Sequence, residues 1–145
     1  MTTHRRMWWL ALVAGCSPAT VQGTDSGTPA ATFTEIHAAL FPQETGPKCD
    51  SCHGQPASQV SNGLLYMGMN DRDAAYAALT TQTSTSTDCG GAEYVVPGDP
   101  EGSLFYTKLL SSPPCGERMP LGGGALSADQ IEMVRSWIAD GAADD

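Results

Sequence analysis

The sequence predicts a small all-α domain, loop-rich and without a substantial sheet. Two observations carry this. Four segments place apolar residues at helical spacing or open on a side chain suited to capping a first turn, and no segment reads as a convincing strand. Glycine (16) and proline (10) are plentiful in the 145 residues, while aromatic residues make up only 7%. Much of the chain is therefore loop, and a large self-sufficient apolar core is not expected. The length suits one domain.

The first segment, residues 1–15, is an address. Arg5 and Arg6 precede the apolar run Met7 to Ala14, which is too short to span a bilayer as a mature helix. This is a signal peptide. Its end, Leu12-Val13-Ala14-Gly15-Cys16, resembles the bacterial lipobox, which implies cleavage before Cys16 and acylation of that cysteine. An ordinary secretory signal with a chance cysteine is the alternative, but no Ala-x-Ala cleavage site follows closely. Residues 16–32 are rich in Ser, Pro, Ala, Thr and Gly, a composition that cannot pack, and they read as a flexible tether behind the lipidated Cys16. The acyl chains would hold the domain, residues 33–145, at a membrane surface. Ser17 rather than Asp after the cysteine favours the outer membrane of a Gram-negative cell, with the domain exported and facing the periplasm.

The first helix runs from Thr32 to Phe41: Thr32 and Glu35 have capping-box spacing, and Phe33, Ile36 and Leu40 share a face. His37 lies on this helix and reads as a surface residue or a local hydrogen-bond partner. The helix leads into Cys49-Asp50-Ser51-Cys52-His53, a C-x-x-C-H haem-attachment motif. Two thiols one helical turn apart reach the two vinyl edges of one porphyrin, and the adjacent imidazole is placed under the iron. One covalent haem c is the expected cofactor, with Cys49 and Cys52 attaching it and His53 as an axial ligand.

A second helix covers residues 71–79, with Asn70 as its cap and an alanine-rich body. A third starts with Asp99 capping and Pro100 at the first helical position, runs through Leu110, and is stopped by Pro113-Pro114. The last opens on Ser127 with Gln130 in capping-box spacing and with Leu126 and Ile131 spaced as a hydrophobic staple. Val134, Trp137 and Ile138 extend its apolar stripe, Met133 reads as core, and Gly141 ends it.

Five cysteines in an exported chain need an explanation. If Cys16 takes lipid and Cys49 and Cys52 take haem, Cys89 and Cys115 remain to form one disulfide in an oxidising compartment. A zinc site built from Cys49, Cys52, Cys89 and Cys115 is the competing reading. Structural zinc sites usually repeat a close C-x₂₋₄-C knuckle, which Cys89 and Cys115 do not supply. A redox-active C-x-x-C would want a βαβ pattern nearby, and none is visible.

The chain resembles the class I cytochromes c across Phe33 to Ala142: an N-terminal helix feeding C-x-x-C-H, a late loop methionine and a C-terminal helix. The run from Tyr94-Val95-Val96-Pro97 through Arg118-Met119-Pro120 to Trp137-Ile138-Ala139-Asp140-Gly141 also looks like the small single-haem domains of planctomycete and myxobacterial exported proteins. The resemblance implies a cytochrome c-like fold around one haem and Met119 as the sixth iron ligand. Met67 and Met69 compete for that role, although an apolar segment beside a macrocycle is expected to be wall. Arg118 could neutralise a haem propionate or sit in solvent. Trp137 and Tyr94 are expected to pack against the haem or a helix.

The net charge of -9, more acidic still once Arg5 and Arg6 leave with the signal, disfavours nucleic acid and anionic head groups. It favours a redox partner carrying a basic docking patch. The other expected partners are the cytochrome c maturation machinery and, through the anchor, the membrane. No nucleophile–base constellation, phosphate loop or paired-carboxylate spacing is present, so no catalytic residues are assigned and the expected role is one-electron transfer rather than enzyme chemistry. Two alternatives remain open: a peroxidase-like haem enzyme or gas sensor with an open sixth position, and a non-haem lipoprotein stapled by zinc or disulfide.

Overall fold

The computed structural model describes residues 30–44, 47–54 and 65–145. The signal peptide, Cys16 and nearly all of the 16–32 tether lie outside the described residues. Within them the fold is helical: α1 (Phe33–Leu40), α2 (Asp50–His53), α3 (Arg72–Thr81), α4 (Leu104–Thr107) and α5 (Ala128–Ala139). Among the described residues extended pairing is confined to one isolated bridge between Thr83 and Glu93.

The caps explain where the long helices begin. Thr32 accepts from the Glu35 amide at 3.2 Å while the Glu35 carboxylate accepts from the Thr32 amide at 2.9 Å, a complete capping box on α1. Ser127 and Gln130 repeat the arrangement on α5 at 3.2 and 3.0 Å. Past the end of α5, Gly141 takes φ +101°, the left-handed conformation that glycine adopts without a Cβ penalty.

The second and third helices depart from the sequence expectation. Asp71, not Asn70, caps α3, accepting from the Ala74 amide at 3.0 Å. Asn70 instead takes φ +53° and donates its amide to Asp50 Oδ2 at 2.6 Å. The segment opened by Asp99 and Pro100 forms a turn, in which Asp99 Oδ1 accepts from the Gly102 amide at 3.0 Å. The helix starts only at Leu104 and lasts one turn. Ser103 accounts for the delay: wholly buried, its hydroxyl accepts from the Val96 amide and donates to the Asp99 carbonyl, both at 2.8 Å. Short polar side chains offer the backbone partners that compete with a helical register in this way.

Helix α1 packs against both α5 and α3, and α4 packs against α5. The Phe33 ring lies 5.1 Å from Trp137 and 5.3 Å from Tyr76, spacings at which aromatic edges and faces attract. Both polar handles are satisfied by the chain that follows α5. Trp137 Nε1 donates to the Ala143 carbonyl at 2.9 Å and the Tyr76 hydroxyl to the Ala142 carbonyl at 3.0 Å. Arg72 closes the same corner, 5.4 Å above the Phe33 ring and in ion pairs with Asp144 (2.7 Å), Asp73 (2.9 Å) and Asp145 (3.1 Å). Trp137 is thus a helix-packing residue. Met133 is half-buried against the same core.

His37 is not a surface residue. It is 9% exposed, its ring stacks on Phe41 at 4.9 Å, and its Nε2 has no hydrogen-bond partner. Helical periodicity places it between Phe33 and Phe41 on the face that α1 buries.

Candidate functional site

The short helix α2 hangs from the end of α1. The Cys49 amide donates to the Leu40 carbonyl at 3.1 Å and the Asp50 amide to the Phe41 carbonyl at 3.0 Å. These bonds use carbonyls that a helix C-terminus leaves without intrahelical partners, so α1 ends by fixing the position of the C-x-x-C-H segment. Lys48 makes the tight entrance at φ +55°.

Cys49, Cys52 and His53 line a cavity of about 500 Å³, in the size range of small-molecule and cofactor sites. Its wall includes Leu40, Leu65, Met67, Tyr94, Phe105 and Leu109. Met119 lines it as well, delivered by the loop between α4 and α5. The structure therefore brings the motif and the late methionine to one cavity. Met67 is 5% exposed and part of the wall; Met69 is 44% exposed and does not line the cavity. Tyr94 faces the cavity and Trp137 does not.

The imidazole of His53 is oriented by its neighbour. Nδ1 lies 2.7 Å from the Leu65 carbonyl oxygen, which can only accept, so Nδ1 carries the proton and Nε2 keeps the lone pair. Burial pushes the His53 pKa below its ordinary value, against the opposing effects of the Leu65 carbonyl and Asp50, which favours the neutral ring. Cys49 is half-buried and Cys52 exposed, and neither is in a disulfide. Burial, helped by the charge of Asp50, pushes the Cys49 thiol up to about 12, far from the thiolate that a redox-active C-x-x-C requires.

Cys89 and Cys115 form a disulfide, with Cα atoms 5.5 Å apart. That pairing withdraws both from a zinc set with Cys49 and Cys52. Among the described residues no group of three or more His, Cys, Asp or Glu side chains is arranged to hold a metal ion. Arg118 donates Nε to the Leu109 carbonyl at 3.0 Å; the cations lining the cavity are Lys48 and Lys108.

Three residues at the site carry no sequence signal of their own. Asp50 fills a spacer position of the motif yet is wholly buried; its Oδ2 accepts from Asn70, and its Oδ1 has no hydrogen-bond partner. Leu65 contributes a main-chain carbonyl, which any residue there could supply. Lys108 reaches the methionine loop through its ammonium and its main-chain carbonyl.

Compared with known proteins, the chain matches no family model, no curated protein and no solved structure.

Proposed function

We propose that this chain is a cytochrome c-like electron carrier, holding one haem covalently and cycling one electron without substrate chemistry of its own. The observation that carries the reading is the convergence of two unpaired thiols, an oriented neutral imidazole and a thioether on one apolar cavity. This donor set fits a haem. Cys49 and Cys52 would attach it through thioether bonds, and His53 Nε2 and the Met119 thioether would hold its iron. Bound there, a haem supplies reversible one-electron exchange between Fe(III) and Fe(II).

The chain's own residues do the rest. The Leu65 carbonyl holds the His53 ring in one tautomer and one orientation, as outer partners of ligating histidines do. Leu40, Leu65, Met67 and Phe105 exclude water from the cavity wall, which favours the less charged state of a redox centre. Met67 donates its amide to the His53 carbonyl at 2.8 Å, tying it to the histidine's own strand of chain and suiting it to a wall role. Met119 arrives on a separate arm. The lipobox-like segment adds export and tethering at a periplasmic membrane face, and the acidic surface suits a redox partner with a basic patch.

Denaturing electrophoresis followed by haem staining, with intact mass on the same sample, tests this in one step. A stained band whose mass exceeds the polypeptide by one haem, and which is lost in Cys49→Ala/Cys52→Ala, is expected. An unstained band of polypeptide mass from cells competent in cytochrome c maturation overturns the reading.

A further inference from the structure

The loop that delivers Met119 is bolted to the cap residue that ends α4, Lys108, from both ends of that residue. The Met119 amide donates to the Lys108 carbonyl at 2.8 Å, and the Lys108 ammonium donates to the Cys115 carbonyl, also at 2.8 Å. Arg118 Nε adds a third tie, to the Leu109 carbonyl, and the disulfide to Cys89 fixes the near end of the arm. Gly116 makes the fit. At φ +53° it turns the chain past Lys108, and a Cβ there would stand 3.3 Å from Nζ and 3.5 Å from Asp88 Oδ2. The ammonium also feels the carboxylates of Glu117 and Asp88.

We infer that Lys108 is a positioning residue for the Met119 thioether: its ammonium and its carbonyl together hold residues 115–119 as a rigid arm against the cavity. The inference rests on the haem reading above and deepens it. A flexible methionine side chain supplies a weak bond and loses rotamer freedom when it ligates, so preorganising its backbone raises the fraction of time it is in place. The same arm must swing aside before any external ligand can take its position, and Lys108 therefore sets how easily the site opens.

The experiment is imidazole titration of the ferric holoprotein, following loss of the weak red absorption band of the thioether–iron bond, in wild type, Lys108→Met, Lys108→Arg and Met119→Ala. Lys108→Met keeps the aliphatic stem and removes the charged donor. Its imidazole affinity is expected to rise about tenfold, the effect of one charge-assisted hydrogen bond. Lys108→Arg, which restores a donor, should lie nearer wild type. Global stability measured alongside separates the roles, since a purely structural lysine would change the urea midpoint and leave imidazole affinity alone. Unchanged affinity in Lys108→Met, with the red band lost in Met119→Ala, overturns the inference and leaves the ligand assignment standing. A red band that survives in Met119→Ala overturns the ligand assignment itself, and the inference with it. If Lys108→Met does not accumulate, hydrogen exchange of the Met119 amide in wild-type holoprotein decides. Protection comparable to α5 supports the clamp, and exchange as fast as in the exposed 121–125 segment overturns it.

Discussion

His53 Nδ1 lies 2.7 Å from the carbonyl oxygen of Leu65, across a chain separation of 12 residues. That single contact makes Nδ1 the protonated ring nitrogen and leaves the lone pair on Nε2. On the proposed haem reading, the Leu65 carbonyl loses its donor in His53→Ala, and leaving a buried acceptor unpaired costs about 1–3 kcal/mol. Both the stability and the axial-ligand signature of the absorption spectrum should fall, and added imidazole should restore the spectrum, since its N–H can donate to the same carbonyl. Spectra taken with and without imidazole check this, and an unaltered spectrum in the variant overturns the proposed iron-ligand role of His53.

The Phe33 and Trp137 rings join the first and last helices at 5.1 Å, with Trp137 only 3% exposed. Trp137→Ala should cost about 3–5 kcal/mol, the range for emptying a buried tryptophan site. Trp137→Phe keeps a ring against Phe33 and loses the bond to the Ala143 carbonyl, so about 1 kcal/mol is expected. Urea denaturation curves compare the two; equal losses would mean that the indole N–H, and not the ring contact, holds this corner.

The outlines of α1 and α5 were legible because their signals are local. A threonine or serine three residues before Glu35 or Gln130 forms the same capping box in isolation as in the fold. The Cys49-x-x-Cys52-His53 spacing is local in the same sense, and it falls on the one-turn helix α2. The Asp99-Pro100 signal is equally local but lost to the wholly buried Ser103, whose partners Val96 and Asp99 are chosen by the surrounding packing. Residue type alone reads His37 as surface, whereas its position on the α1 face between Phe33 and Phe41 buries it. Lys108 and Leu65 were beyond reach, since their contributions depend on main-chain atoms brought together by loops with no periodicity to read.

The Cys89–Cys115 disulfide spans a sequence separation of 26. Chain-entropy arguments give roughly 3–4 kcal/mol for a closed loop of this order. Cys89→Ser/Cys115→Ser should lower the stability of the unreduced protein by about that amount. A reducing agent should do the same to wild type and nothing further to the double variant. Thermal melts with and without reductant check both statements, and wild-type insensitivity to reduction would mean that the bridge adds little to stability.

Burial sets the sign of one pH dependence. The His37 pKa lies below its ordinary value because its ring is desolvated; Asp50 and Asp71 oppose the shift and Arg72 adds to it. The unfolded chain therefore takes up a proton near pH 6.5 while the folded one still refuses it. By linkage, stability is fully present above about pH 6.5 and is lost as pH falls from there to the lowered folded value, below which this contribution levels off. On the proposed haem reading, in which an iron-bound His53 does not titrate, the urea midpoint should thus drop as pH falls from about 6.5 toward 5.5, a window in which ordinary carboxylates stay ionised. In His37→Phe, which keeps a ring beside Phe41, the curve should flatten over that window. A variant with the wild-type slope would move the source of the pH dependence away from His37.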